Sequence, residues 1–254
     1  MTTPPPSNVD SSGNAGPRHT PGTPVTARAP GRVPLDCRGE RRHTPGTPVT
    51  ARAVSLQWCL GGLLAAPFAI LPHEVGHYLV LLAFGVPDLT LHYVAVTWDL
   101  REFWEAIRRA DFDGANAVVP VWAVALSDAM GPIVTYAIVA ACCYACARWR
   151  PLPVFVAVAV LSQLRIRAGV NHVVREALGI DRPANFDELR VAVLTGIPVE
   201  ALVGFALLTL LVSVAWLSRF LPPGRRLVAV ASMTVGMAVS LYLYAGLIGP
   251  WLLP

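Results

Sequence analysis

His73, Glu74 and His77 stand inside LPHEVGHYLVLL, residues 71–82. An α-helix turns about 100° per residue, so positions i and i+4 share one face, a turn apart. Two imidazoles placed that way can hold one metal ion. The intervening carboxylate can reach a metal-bound water without itself ligating the metal. H-E-x-x-H on a helix is the arrangement of zinc hydrolases. The flanking residues are almost wholly apolar and numerous enough to cross a bilayer, where ionisable side chains are costly and mark functional positions. The competing structural reading is a set of unmetallated polar residues lining a helix contact or a water-filled cavity.

A catalytic zinc takes three protein ligands and keeps one position open. The third ligand must therefore come from another part of the chain. Asp187, in NFDELR, is the first choice; Asp128, Asp181 and His172 are the alternatives. Each has a structural role open to it. Asp187 can cap the helix that begins ELRVAVL. Asp181 can pair with Arg182 or Arg190, Asp128 can hydrogen-bond across helices, and His172 can sit at an interface.

The elements that must position these groups are long apolar runs. The chain has 254 residues, of which 54% are hydrophobic and 14% charged, against about 25% charged in a soluble domain. Mean hydropathy is +0.53. These values describe an all-α, polytopic helical membrane protein. About five transmembrane helices are expected, with the metal site between helices. The runs cover residues 54–86, 117–147, 152 to about 174, 197–220 and 227–253. The first could reach about 50 Å as a helix, beyond the roughly 30 Å hydrocarbon core. Pro72 interrupts it, and a kink is expected there, or a break with Pro72 opening a second helix. Between the first two runs, WDLREFWEAIRRA reads as a short amphipathic helix at the membrane interface, and LTLHYVAV, which contains His92, as a short strand.

Residues 1–53 are rich in Pro, Gly, Thr and Arg and lack periodicity, so they read as a disordered tail. RHTPGTPVTARA occurs in it twice, at residues 18–29 and 42–53. His19 and His43 belong to these copies and are poor metal candidates. No apolar h-region precedes the first span, which is expected to serve as the insertion signal. Residues 54–254 form the membrane-embedded domain.

All twenty basic side chains are Arg, and the formal charge is +4. They cluster at the ends of apolar runs and in the tail. That distribution fits topology and lipid headgroups, with the bilayer rather than nucleic acid as partner. Either membrane orientation leaves similar Arg counts on the two sides, so charge does not set it. Abundant Ala, Gly, Pro and Arg without Lys is the composition of a GC-rich bacterial genome. Cys142, Cys143 and Cys146 cluster in the second run as small packing residues.

The chain resembles the site-2 protease family of intramembrane zinc metallopeptidases. HEVGH, residues 73–77, is similar to that family's HExGH, glycine included. MGPIVT, residues 130–135, resembles its Gly-Pro element, with Thr135 where Asn is usual. Phe186-Asp187-Glu188 is similar to its Asp-Gly element, with Glu188 in place of Gly. An aliphatic residue is more usual at the position of Pro72. The polar intervals are too short for an inserted PDZ-like domain. The resemblance spans residues 54–198. It implies a zinc cofactor held by His73, His77 and Asp187, with Glu74 as general base on zinc-bound water. It implies membrane-protein substrates, often single-span bacterial regulators, and a multi-pass location in the cell membrane. A non-catalytic relative that regulates membrane partners is the second reading, and a small transporter the third.

Overall fold

The computed structural model describes residues 50–149, 151–180 and 184–253. The fold is all-α, and five helical stretches are long and apolar enough to cross a membrane: Ala51–Ala83, Val121–Arg148, Pro153–Ala177, Val199–Phe220 and Arg226–Leu252. Large apolar side chains on these stretches face outward, among them Leu56, Phe68, Leu79, Phe205 and Leu208. Such a surface is stable only against lipid or protein, and the molecule is a multi-pass membrane protein.

The first stretch is two helices, α1 (Ala51–Leu63) and α2 (Ala65–Ala83). Thr50 caps α1, its Oγ1 accepting from the Ala53 N–H at 3.3 Å. The last residues of the second dodecamer copy are thus helical, three residues inside the stretch read as tail. The interruption lies at Leu64, while Pro72 sits within α2, so Pro72 does not open a helix. Pro67, in the first turn of α2, has no N–H for the Leu63 carbonyl and its ring crowds that carbonyl, so the ladder is interrupted there. The Gly61-Gly62 pair before it adds about 1 kcal/mol per glycine against the helix. These glycines are where α1 touches its neighbours most closely: Gly61 faces Pro153, and Gly62 faces Met233 and Gly236.

A two-stranded antiparallel hairpin follows, β1 (Thr90–Leu91) and β2 (Val96–Thr97), with Thr90 opposite Thr97. His92 Nε2 meets Thr97 Oγ1 across it at 2.8 Å. The amphipathic segment is α3 (Arg101–Arg108). Its apolar face is turned onto protein: Phe103 and Ala106 pack with Leu81, Val119 and Val124. Burying Phe103 completely contributes about 2–3 kcal/mol. The short α4 (Phe112–Val118) is capped by Asp111, which accepts from the Gly114 N–H at 2.9 Å. Pro120 then starts α5 (Val121–Arg148).

The third run also divides, into α6 (Pro153–Gln163) and α7 (Ile166–Ala177), with Leu164 and Arg165 at the joint. After it come α8 (Asp187–Thr195), ended by Gly196 in the left-handed region, and α9 (Val199–Leu217). The last stretch is α10 (Arg226–Leu243), a π-turn over Tyr244–Ile248 and α11 (Gly249–Leu252). α1 packs chiefly on α10, α2 on α5, and α5 on α6 and α8. The main core joins Trp58, Ala66, Val139, Val156 and Met233. Cys142 and Cys146 belong to it, in keeping with a packing role.

Candidate metal centre

The site lies where α2, α5 and the start of α8 meet. The one-turn spacing in α2 brings His73 and His77 together, ring centroids 4.7 Å apart. Their Nε2 atoms are 3.0 Å apart. Asp187 Oδ2 lies 3.0 Å from His73 Nε2 and 3.4 Å from His77 Nε2. Among the described residues these three form the group that could hold a metal ion. All are buried, at 2%, 4% and 6% exposure.

Asp187 is the first residue of α8, and the extended Phe186 precedes it as the N-cap. The capping role open to Asp187 in the sequence is therefore not the one it fills. Burial would raise its carboxyl, but the contact with His77 and the charges of Arg165 and Arg190 hold it below its ordinary value. Burial pushes the neighbouring Glu188 carboxyl up.

Two contacts aim the imidazoles. His77 Nδ1–H donates to the Ser127 carbonyl at 2.7 Å, and Ser127 Oγ–H donates back to the His77 carbonyl at 3.2 Å. A nitrogen facing a carbonyl must carry the proton, which leaves Nε2 of neutral His77 as a lone pair. His73 Nδ1 meets Thr135 Oγ1 at 2.9 Å. Partners of this kind fix the orientation of metal-binding histidines.

The glycines explain how close the helices come. A Cβ on Gly76, the glycine of HEVGH, would lie 3.0 Å from Val134 Cγ2 and 3.1 Å from the Met130 carbonyl oxygen. A Cβ on Gly131 would meet the Nε2 atoms of both histidines, at 2.5 Å from that of His73. The Gly-Pro element is thus the wall of the metal cradle.

The donor set suits zinc. Tetrahedral zinc with N and O ligands at about 2.0–2.2 Å sets its ligand atoms roughly 3.3–3.6 Å apart. The three separations here need a change of only a few tenths of an ångström. Two imidazoles and one carboxylate are the ligand chemistry of a catalytic site with one position left open.

Glu74 is buried next to His73 and does not belong to the cluster of three. Arg165, from the α6–α7 joint, bridges it to that cluster. Its Nη1 lies 3.5 Å from Glu74 Oε1, and its Nη2 donates to Asp187 Oδ2 at 3.2 Å. Arg165 lies at the margin of an apolar run, among the Arg residues that the sequence assigns to run ends, and this role was missed. The available signal was a charge at the margin of an apolar run. A cavity of about 980 Å³ opens beside these groups, lined by His73, Thr135, Tyr136, Arg165, Asp187 and Leu210 among others. That is the size range of ligand pockets.

Among the described residues, the alternative third ligands lie elsewhere. His172 Nε2 lies 3.6 Å from Glu176 Oε2, and its ring tilts against Phe186. Asp181 lies outside the described residues, as do His19 and His43. Asp128 is fully buried on α5 and faces Arg190, with Oδ1 3.0 Å from Arg190 Nη2. The two charges are close, but the pair is not aligned as a hydrogen bond. Arg190 Nη2 also donates to Asp187 Oδ1 at 2.8 Å. Arg190 thus lies beside Asp128 and holds the outer oxygen of Asp187. Arg190→Gln should weaken metal binding about 10–100-fold, the usual scale for a group that orients a ligand. A metal titration checks it, and unchanged affinity would show that Asp187 needs no such anchor.

No family model matches the chain, and neither a curated protein nor a solved structure matches it.

Proposed function

We propose that this protein is an intramembrane zinc endopeptidase that hydrolyses peptide bonds of membrane-protein substrates in the cell membrane. The observation that carries the reading is the convergence of His73, His77 and Asp187 with Glu74 beside them, among helices long enough to cross a bilayer. The similarity of HEVGH and of the Gly-Pro element to the site-2 protease family adds to it.

His73 Nε2, His77 Nε2 and Asp187 Oδ2 are the atoms that would hold zinc. When bound, zinc acidifies water toward neutral pH and polarises a scissile carbonyl. Ser127 and Thr135 keep the two imidazoles aimed at one point. Glu74 takes the proton of the attacking water and later delivers it to the leaving nitrogen. The three ligand side chains are buried, which strengthens each electrostatic contact among them. A substrate helix shields its peptide bonds by its own hydrogen bonding, so it must unwind locally before attack. Single-span regulators are the substrate class proposed.

Full-length protein purified in detergent should contain one zinc per chain. It should cleave a reduced, carboxymethylated polypeptide, lose that activity with a chelator and regain it with stoichiometric zinc. His77→Ala should lose both metal and cleavage. Thr135 and Glu188, which depart from the family's usual residues, favour the second reading, a membrane-bound regulator without catalysis. A clean preparation that takes up no zinc after supplementation would favour that reading over the peptidase.

A further inference from the structure

We propose that Arg165 is the electrophilic partner of the scissile carbonyl, the side chain that neutralises charge on the substrate oxygen during attack. The inference rests on the peptidase reading and assigns a residue that no part of HEVGH, the Gly-Pro element or Phe186-Asp187-Glu188 includes.

The argument starts from the interruption of the third span. Apolar helix α6 stops at Gln163, and α7 resumes at Ile166. The joint between them turns a guanidinium toward the metal cradle. Arg165 Nη1 reaches Glu74 and Nη2 reaches Asp187. One planar group thus touches the proposed base and the proposed third ligand together. Its side chain is still 42% exposed, and it lines the 980 Å³ cavity that His73 and Asp187 also line. A guanidinium has five N–H donors. The two contacts engage one N–H each, which leaves three for a molecule in the cavity.

Arg190, the other cation of the site, is differently placed. Its Nη2 is committed to Asp187 and Asp128, and its side chain is 27% exposed. Arg165 alone combines contact with both functional carboxylates and an open side toward the cavity. Arg also has no accessible neutral form, so it cannot compete with Glu74 for the proton.

The reaction balances around this group. The water oxygen bonds to the carbonyl carbon, and the π pair of the C=O bond moves onto the carbonyl oxygen. The water proton passes to Glu74. Arg165 N–H groups donate to the oxygen that has gained charge. Collapse restores the C=O bond and breaks the C–N bond, and the Glu74 proton goes to the departing nitrogen. Donors fixed in advance at the atom that gains charge lower the barrier without reorganisation.

The test compares full-length wild type, Arg165→Gln and Arg165→Lys in detergent, with reduced, carboxymethylated lactalbumin as the polypeptide and zinc content measured on the same samples. Assayed with zinc in excess, Arg165→Gln should reach one zinc per chain, lose about 100–1,000-fold in kcat and change KM by less than about threefold, the pattern of a lost oxyanion donor. Arg165→Lys should recover about tenfold, because charge returns without the planar fork. Full kcat in Arg165→Gln would overturn the inference and leave the peptidase reading standing. Loss of zinc in both variants would also overturn it, showing that Arg165 serves to hold Asp187. Wild-type protein that holds zinc but leaves the polypeptide intact overturns the peptidase reading, and this inference with it.

Discussion

Glu74→Gln is expected to abolish peptide-bond cleavage while the protein keeps one zinc per chain. Glutamine has the shape of glutamate, so packing on α2 is preserved, and Glu74 is not one of the three residues that form the metal group. What disappears is the ability to accept a proton. Positioned general bases contribute about 10²–10⁴-fold, and Glu74 would serve twice, as base in attack and as acid in departure. A rate loss near the upper end of that range is therefore expected. Its single close ionic contact among those described is Arg165 at 3.5 Å, on a half-exposed side chain, so removing the charge should cost little stability. Cleavage kinetics and metal analysis on one preparation check the result. Activity within a few-fold of wild type would remove Glu74 from the mechanism.

The degree to which this site could be read in advance differs residue by residue. His73 and His77 are four apart on one helix, so their meeting follows from helical geometry, and an apolar setting makes their polarity conspicuous. Asp187 is 114 residues from His73. Its approach depends on how four helices stack, and the sequence could only rank it against Asp128, Asp181 and His172. Among the described residues the structure separates the roles of Asp187, Asp128 and His172. Asp187 points into the cradle, Asp128 lies beside Arg190, and His172 lies against Phe186.

The five spans were legible from hydropathy, but their interruptions were not. Pro72 is the obvious helix breaker, yet the break falls at Leu64, where Pro67 cannot donate to the Leu63 carbonyl and the Gly61-Gly62 pair has already weakened the helix. The interruption at Leu164–Arg165 has no proline or glycine to announce it. Arg165, one of the Arg residues that the sequence places at the ends of apolar runs, therefore reaches the centre of the site unannounced. Ser127 illustrates a deeper limit. Its contribution is a backbone carbonyl, which every residue carries, so no residue type could have marked it.

Gly131→Ala should abolish metal binding through a single added methyl. Small residues in membrane helices commonly mark close helix contacts, but Gly131 faces more than a neighbouring helix. An added Cβ would occupy the space between the His73 and His77 Nε2 atoms, the atoms that would bind zinc. Neither ring can yield easily: His77 is held by Ser127 and His73 by Thr135, and both are buried. α5 cannot retreat without parting Met130 from Gly76, where a Cβ would already stand 3.1 Å from the Met130 carbonyl oxygen. Overpacking of this kind costs about 1–3 kcal/mol. The greater loss is functional, because the methyl displaces two ligand atoms together. Zinc affinity should fall by more than about 100-fold, beyond the loss expected for an orienting partner, and cleavage should vanish with it. Gly76→Ala provides the contrast: its methyl would press on Val134 and Met130 rather than on the ligand nitrogens, so stability should suffer more than metal affinity. Thermal unfolding and zinc titration of the two variants separate these effects. A Gly131→Ala protein that binds zinc like wild type would mean that the histidine nitrogens do not converge beside this helix.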